Sequence, residues 1–250
     1  MNPIESGEPL GLTPNSNPES LTPSVPFWHY IDLFFFVSLL FASFGGLLFV
    51  VILLRLTSLS MGWKLILPQL VFYALGLTAL AAILRLRYDQ PLWRSLGWKA
   101  TSLSITLSSL LAGPLLAITV SLLGAALKTP QIDLPFQQML GPPGTIVLLG
   151  SVVVILGPVC EELAFRGFLM PLLVRSLGAA GGIVVTGFIF GCMHGYEYEW
   201  SWRHMLLISL VGCTFGWAKY KTQSTAAAAF MHSTFTLAQF AAFVWQSRPL

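Results

Sequence analysis

Charged residues are scarce in this chain: 13 Lys and Arg and 10 Asp and Glu make up only 9% of its 250 residues. Soluble domains carry about 25% charged residues, so the composition argues against a soluble protein. The net charge of +3 is too small to indicate a nucleic-acid-binding surface. Because 55% of the residues are hydrophobic, we expect an integral membrane protein whose main partner is the lipid bilayer.

Cysteine is also scarce. Cys160, Cys192 and Cys213 all lie in apolar segments and form no CxxC pair, so we expect neither a disulfide framework nor a zinc ribbon. A cysteine nucleophile is one alternative, since Cys160 adjoins Glu161 and Cys192 lies two residues before His194. Adjacent helix positions point apart by about 100°, which argues against Cys160 acting with Glu161.

Basic residues are absent from the first 26 positions, which are rich in Pro, Ser, Asn and Glu. This composition cannot bury a core, so residues 1–26 are predicted to be a disordered tail. The segment lacks the charged and apolar parts of a cleaved signal peptide. Residues 27–250 are predicted to form one multi-pass membrane domain, because they contain neither a long polar connection nor an internal repeat.

Long apolar runs fill that domain. A membrane-spanning helix needs about 20 mostly apolar residues. The predicted fold is therefore an all-α polytopic bundle of about seven transmembrane helices with a site in its core. The fourth run contains Gly157-Pro158, where it either kinks or a new helix begins. The seven runs cover residues 31–54, 64–84, 103–126, 145–174, 178–195, 204–220 and 224–245.

The distribution of Lys and Arg predicts the orientation. Loops on the side of the N-terminus hold seven of these residues and loops on the opposite side hold five. The positive-inside rule then favours a cytoplasmic N-terminus, in a protein of the cell (plasma) membrane. The first group comprises Arg85, Arg87, Arg94, Lys99, Arg175, Lys219 and Lys221, and the second Arg55, Lys64, Lys128, Arg203 and Arg248.

Three charged residues interrupt the fourth apolar run: Glu161, Glu162 and Arg166. Charges at membrane depth are costly, so they are rare and usually line a protected polar site. Glu162 and Arg166 are four residues apart, so on a helix they share a face and can form an ion pair. Glu161 is rotated by about 100° from Glu162 and is left without that partner, free for chemistry.

Two histidines lie inside later apolar runs. His194 has Phe190 four residues before it and His232 has Thr236 four residues after it, in each case on the same helix face. A single buried histidine is explained by an interhelical hydrogen bond. Glu161 and both histidines together, however, could activate a water molecule for hydrolysis.

The remaining histidines and two loop glutamates carry weaker signals. His29 and His204 lie at the edges of apolar runs beside tryptophans, where interfacial positions are expected. Glu197 and Glu199, in the sequence YEYEW, are expected to be solvated. A gating or substrate-contacting role for their loop is the alternative.

Three motifs in these runs carry a family resemblance. EELAFR matches the pattern EExxxR, FGCMH matches FxxxH, and HSTFT is similar to HxxxN, in this order along the chain. Together, within residues 145–245, they resemble the CAAX protease and bacteriocin-processing (CPBP) family of intramembrane endopeptidases, which includes the type II CAAX prenyl proteases. The resemblance implies that Glu162 and Arg166 form a structural pair.

The resemblance also implies catalytic roles. Glu161 would activate water together with His194, and His232 would stabilise the oxyanion. The family has an Asn four residues after this histidine, where the chain has Thr236. A hydroxyl donates one hydrogen bond with a different geometry from an amide, so weaker activity or altered specificity would follow. The implied substrate is a membrane-associated or lipidated protein.

Other functions fit part of the pattern. Glu161, His194 and His232 could instead bind zinc, although the chain has no HExxH motif and a mechanism without a cofactor is favoured. Intramembrane charges also mark proton-coupled transporters, but only one strong helix break is visible. Thr236 raises the further alternative of a catalytically silent immunity or scaffold protein with the same fold.

Overall fold

The computed structural model describes residues 26–132 and 143–246, and the regular elements within these ranges are all helical. An all-α fold is therefore confirmed. The predicted tail, residues 1–26, lies outside the described residues except for Pro26.

The bundle is built from long helices joined by short connections. The N-terminal part contains α1 (Tyr30–Arg55), α2 (Met61–Tyr88), the short α3 (Leu92–Ser95) and α4 (Leu103–Ala126). The C-terminal part contains α5 (Pro143–Ser151), α6 (Gly157–Glu162), α7 (Met170–Met193), α8 (Trp202–Thr222) and α9 (Thr225–Gln246). Two π-helical segments, π1 (Val152–Leu156) and π2 (Leu163–Leu169), join α5 to α6 and α6 to α7.

Five helices among the described residues are long and apolar enough to cross a membrane, which confirms a polytopic membrane bundle. One of the five, Ile146–Met193, covers nearly all of the fourth and fifth predicted spans. The break between them is at Gly178, whose φ of 72° and ψ of 173° are not helical. A positive φ of this size favours glycine, because glycine has no Cβ to clash with the backbone. The sixth predicted span corresponds to α8, which is not among the five.

A new helix does not start at Pro158. Backbone angles remain helical at Leu156 and Gly157, so α6 continues directly from π1. The wider π turns lie on both sides of α6, the segment that carries the two adjacent glutamates. Such π turns within helices are frequent at functional sites.

Glycines bring α7 and α8 into close contact. A Cβ on Gly187 would overlap Cys213 of α8, and a Cβ on Gly191 would overlap Ser209. Membrane helices associate through small residues because these let the backbones approach each other. The close fit fixes the end of α7, which leads into His194, against α8.

The start of α1 is attached to the second half of the chain. Trp28, just before α1, is only 3% exposed. Its ring stacks on Phe168 at 5.6 Å and its Nε1 donates to the Phe168 carbonyl. A buried carboxylate links α1 to α2, since Asp32 Oδ1 lies 2.6 Å from Arg87 Nε. The N-terminal helices and the charged segment therefore form one body.

The two ends of the bundle differ in what they contain. The N-terminal end comprises the start of α1, the end of α2 and the turn between α8 and α9, where Thr225 Oγ1 donates to the Leu96 carbonyl. The far end comprises the start of α2, the end of α4 and the loop of residues 194–201. There Arg203 donates to the carbonyl of Lys128.

Candidate active site

A cavity of about 390 Å³ lies inside the bundle, between the middle of the membrane helices and the far end. Its wall comes from helices in both halves of the chain. The predicted residues in the wall are Glu161, Phe190, His194, His232 and Thr236. The other two predicted residues, Glu162 and Arg166, are fully buried.

Glu162 and Arg166 form the ion pair that their spacing predicts. Arg166 Nη1 lies 2.9 Å from Glu162 Oε1, and both side chains are completely buried. Arg166 Nη2 also donates to the Gly212 carbonyl at 2.7 Å. The guanidinium carbon lies 4.5 Å from the ring centre of Phe190, a favourable cation–π contact. A buried ion pair is stable only with such additional partners.

Glu162 has a second partner that helix spacing does not reveal. His232 Nδ1 lies 3.0 Å from Glu162 Oε1, and since an ionised carboxylate only accepts, Nδ1 is the donor. Phe215 stacks on the imidazole with ring centres 4.5 Å apart. The other ring nitrogen, Nε2, is on the side of Glu161. Glu162 therefore orients His232 across the bundle.

Glu161 occupies a different environment from its neighbour. Its side chain is 27% exposed, and Oε2 lies 4.0 Å from His232 Nε2, beyond hydrogen-bond distance. Oε1 accepts a hydrogen bond of 3.2 Å from the hydroxyl of Tyr73 on α2. The expectation that Glu161 lacks the Arg166 partner agrees with this geometry. Tyr73 is an additional partner, visible only once α2 is packed against α6.

His194 follows the last residue of α7. Its Nδ1 donates to the Phe190 carbonyl at 2.8 Å, so in the neutral ring Nε2 keeps a free lone pair. The Phe190 ring centre is 4.7 Å from that of His194 and 5.8 Å from that of His232. Phe190 therefore packs against both histidines and contributes an apolar surface to the cavity wall.

Other polar side chains in the cavity wall were not predicted to belong to the site: Gln69, Tyr73, Glu197, Tyr198, His204 and Gln239. Glu197 is expected from the sequence to be solvated, whereas the structure shows it half-buried in the cavity wall. His204 was expected at the interface but also reaches the wall. The only sequence signal for Glu197 is its position three residues after His194.

Burial raises the pKa of Glu197. The nearby His194 acts in the opposite direction and the Glu161 carboxylate in the same direction. The two loop glutamates therefore differ, since Glu199 is exposed. Only Glu197 places a further acid beside the predicted catalytic groups.

The cavity also bears on the alternative chemistries. Among residues 26–132 and 143–246, no three His, Cys, Asp or Glu side chains are grouped so that they could hold a metal ion. The three cysteines are free, and none is part of the cavity wall.

Replacement of Glu197 by Gln should stabilise the protein in a pH-dependent way. The raised pKa means that the folded state binds the proton more tightly than the unfolded state. Stability is therefore lost as the pH rises from the ordinary value of 4.5 through the raised value. We expect Glu197→Gln to have the higher melting temperature at neutral pH and an equal one below about pH 4.

Melting of detergent-solubilised protein between pH 4 and pH 8 measures this difference. Glu199→Gln is the matched control, as it removes an exposed carboxylate from the same loop. Equal melting temperatures of Glu197→Gln and wild type at neutral pH would contradict the raised pKa of Glu197.

Comparison with known proteins adds one match. Residues 143–238 match the family model described as type II CAAX prenyl endopeptidase Rce1-like. No curated protein and no solved structure matches the chain. The matched segment contains all three motifs and runs from α5 into α9, so the family resemblance is confirmed for this part of the chain. Residues 143–238 are therefore similar to the type II CAAX prenyl endopeptidases of the Rce1-like family.

Proposed function

We propose that this protein is an intramembrane endopeptidase that hydrolyses a peptide bond of a membrane-associated or lipidated protein. The main support is that Glu161, His194 and His232, from three different helical segments, border one cavity in an apolar bundle. A structural role alone would not require three ionisable groups around open space at membrane depth.

In the proposed reaction Glu161 is the general base. Its carboxylate takes a proton from water while His194 Nε2 accepts the second hydrogen bond of that water. The hydroxide oxygen attacks the scissile carbonyl carbon and forms a tetrahedral intermediate. When the C–N bond breaks, the proton on Glu161 passes to the leaving amine, and the carboxylate is restored. A metal enters no step of this scheme.

His232 supplies the oxyanion donor in this scheme. Its Nδ1 already donates to Glu162, so Nε2 can donate only if the ring carries both protons. Thr236 lies one turn further along α9 in the same cavity wall, where its hydroxyl could donate a second hydrogen bond.

Substitution of the three central residues should abolish cleavage without unfolding the protein. We expect Glu161→Gln and His194→Ala each to lower kcat by about 10²–10⁴, the usual contribution of general acid–base catalysis. His232→Ala should cost at least about 10²–10³ through the lost oxyanion donor. Purified protein in liposomes is assayed with a farnesylated, internally quenched CAAX peptide and with a quenched single-span peptide.

The matched controls are Glu199→Gln and His29→Ala, which alter exposed residues outside the cavity and should retain wild-type turnover. Melting temperatures establish that each variant is folded. Wild-type turnover by Glu161→Gln would refute the proposed base. Loss of activity in excess 1,10-phenanthroline, with recovery on zinc addition, would refute a mechanism without a metal.

A substitution at Thr236 distinguishes between two hypotheses, an active peptidase and a catalytically silent protein of the same fold. The amide of Asn reaches further than a hydroxyl, so Thr236→Asn should raise kcat by about tenfold if the oxyanion site is active but incomplete. The same liposome assay measures this gain, and Thr214→Asn on α8, a half-buried position outside the cavity wall, is the control. No cleavage by wild type or by Thr236→Asn would favour the immunity or scaffold function.

The position of the cavity restricts where the substrate approaches. The protein is an integral membrane protein, and Glu197 and Tyr198 place the cavity at the far end of the bundle. The basic residues favour a cytoplasmic N-terminal end. We therefore also propose that the cavity opens to the outer side of the plasma membrane and takes exported or surface-anchored proteins.

Labelling of single cysteines tests this orientation. In a background with all three native cysteines replaced by alanine, Ser58→Cys marks the far end and Gln90→Cys the N-terminal end, both at exposed positions. A membrane-impermeant maleimide should label Ser58→Cys on intact cells and Gln90→Cys only after permeabilisation. The reverse pattern would place the cavity towards the cytoplasm and favour cytoplasmic lipidated substrates.

A further inference from the structure

The contact between Tyr73 and Glu161 joins the proposed base to a helix outside the family match. Tyr73 lies on α2, whereas the match covers residues 143–238. Its hydroxyl donates to Glu161 Oε1 at 3.2 Å and lines the same cavity. The first half of the chain therefore contributes a polar group directly to the carboxylate on which the proposed reaction depends.

The Tyr73 hydroxyl packs against a glycine. Gly157 lies four residues before Glu161, one helical turn away on the same face. A Cβ at Gly157 would lie only 2.9 Å from Tyr73 Oη and 3.6 Å from Tyr73 Cζ. A methyl group at this distance would push the tyrosine away from the carboxylate. The absence of a side chain at Gly157 thus makes room for the hydrogen bond.

The hydrogen bond also gives the two oxygens of the Glu161 carboxylate different surroundings. Oε1 is engaged by Tyr73, while Oε2 is on the side of His232, 4.0 Å from Nε2. A glutamate side chain that is partly exposed has several rotamers, and only some direct a lone pair to a bound water. A misplacement of about 1 Å can cost on the order of 100-fold in rate.

We propose that Tyr73 is a positioning residue for Glu161, and that Gly157 is required because any larger residue would displace the Tyr73 hydroxyl. The positioning role rests on the proposed function, in which Glu161 is the base. The packing of Tyr73 over Gly157 does not depend on that function, so the two parts are tested by different measurements.

The kinetic test uses Tyr73→Phe, Gly157→Ala and the double variant in liposomes with the peptide that wild type cleaves. Tyr73→Phe keeps the ring but loses one hydrogen bond to a charged group, so we expect kcat to fall about tenfold with KM within about twofold. Gly157→Ala should give a similar fall. Because both changes remove the same hydrogen bond, the double variant should be no slower than Tyr73→Phe.

The packing test measures melting temperatures of the same variants and needs no substrate. Gly157→Ala should lower the melting temperature by roughly 2–4 °C in the presence of Tyr73. It should lower it much less in the Tyr73→Phe background, because the phenylalanine ring lacks the oxygen that the new methyl group would meet.

Two controls separate positioning from general loss of stability. Tyr30→Phe also removes a hydroxyl that donates to a helix carbonyl, that of Leu172, but at the N-terminal end of the bundle. Gly46→Ala adds a methyl group where no atom lies within 4 Å. Both controls should keep wild-type kcat.

The outcomes are distinct. Unchanged kcat in Tyr73→Phe, or additive losses in the double variant, would overturn the positioning role. Equal effects of Gly157→Ala on melting in both backgrounds would overturn the packing of Tyr73 over Gly157. If wild type cleaves no peptide, the proposed function and the positioning role both fail, while the melting series still decides the packing.

Discussion

The rest of the site depends on the hydrogen bonds that the Glu162 carboxylate accepts from Arg166 and His232. This carboxylate is fully buried in an apolar bundle, where an unpaired charge would be strongly destabilising. Arg166 from the same helical run and His232 from α9 both bind its Oε1. Since Arg166 also donates to Gly212 of α8, three segments meet at this one charge. The position of His232 is therefore tied to the electrostatics of the core, because a shift of α9 would remove one of the two hydrogen bonds that this buried acid accepts.

Two adjacent residues of the same type thereby acquire different properties. Glu162 is enclosed and accepts two hydrogen bonds, whereas Glu161 is partly exposed and accepts one, from Tyr73. The rotation of about 100° between neighbouring helix positions turns one carboxylate into the core and the other towards the cavity. Environment, not residue type, separates a structural acid from a catalytic one. The proposed mechanism uses this separation, because the base must release its proton while the structural acid stays charged.

The features that can be predicted from the sequence are those that depend on the residue spacing within a single helix. Composition predicts the membrane-spanning helices, and the four-residue spacing predicts the ion pair of Glu162 and Arg166. Each of these predictions concerns a single helix. Tyr73 and the bond from His232 to Glu162 depend on how distant helices pack, and no spacing rule contains that information. The place of Glu197 in the cavity wall depends on packing for the same reason, since a polar loop residue is expected in solvent unless its loop packs over a cavity. The motifs still identified the cavity's catalytic candidates because the family pattern summarises contacts between helices.

The charges of the site suggest why the proposed reaction suits an apolar bundle. The proposed scheme requires both ring protons on His232, so that two carboxylates then face two cations, Arg166 and His232, and the group is neutral overall. When Glu161 takes the proton of water, its negative charge disappears and an equal charge develops on the substrate oxyanion beside His232. The reaction therefore moves a charge over a short distance without changing the total, which matters where uncompensated charge is poorly solvated. A charged donor is also stronger than a neutral one, so His232 can carry most of the oxyanion stabilisation. On this argument Thr236 weakens the site only in part, and the reaction remains feasible without an amide at that position.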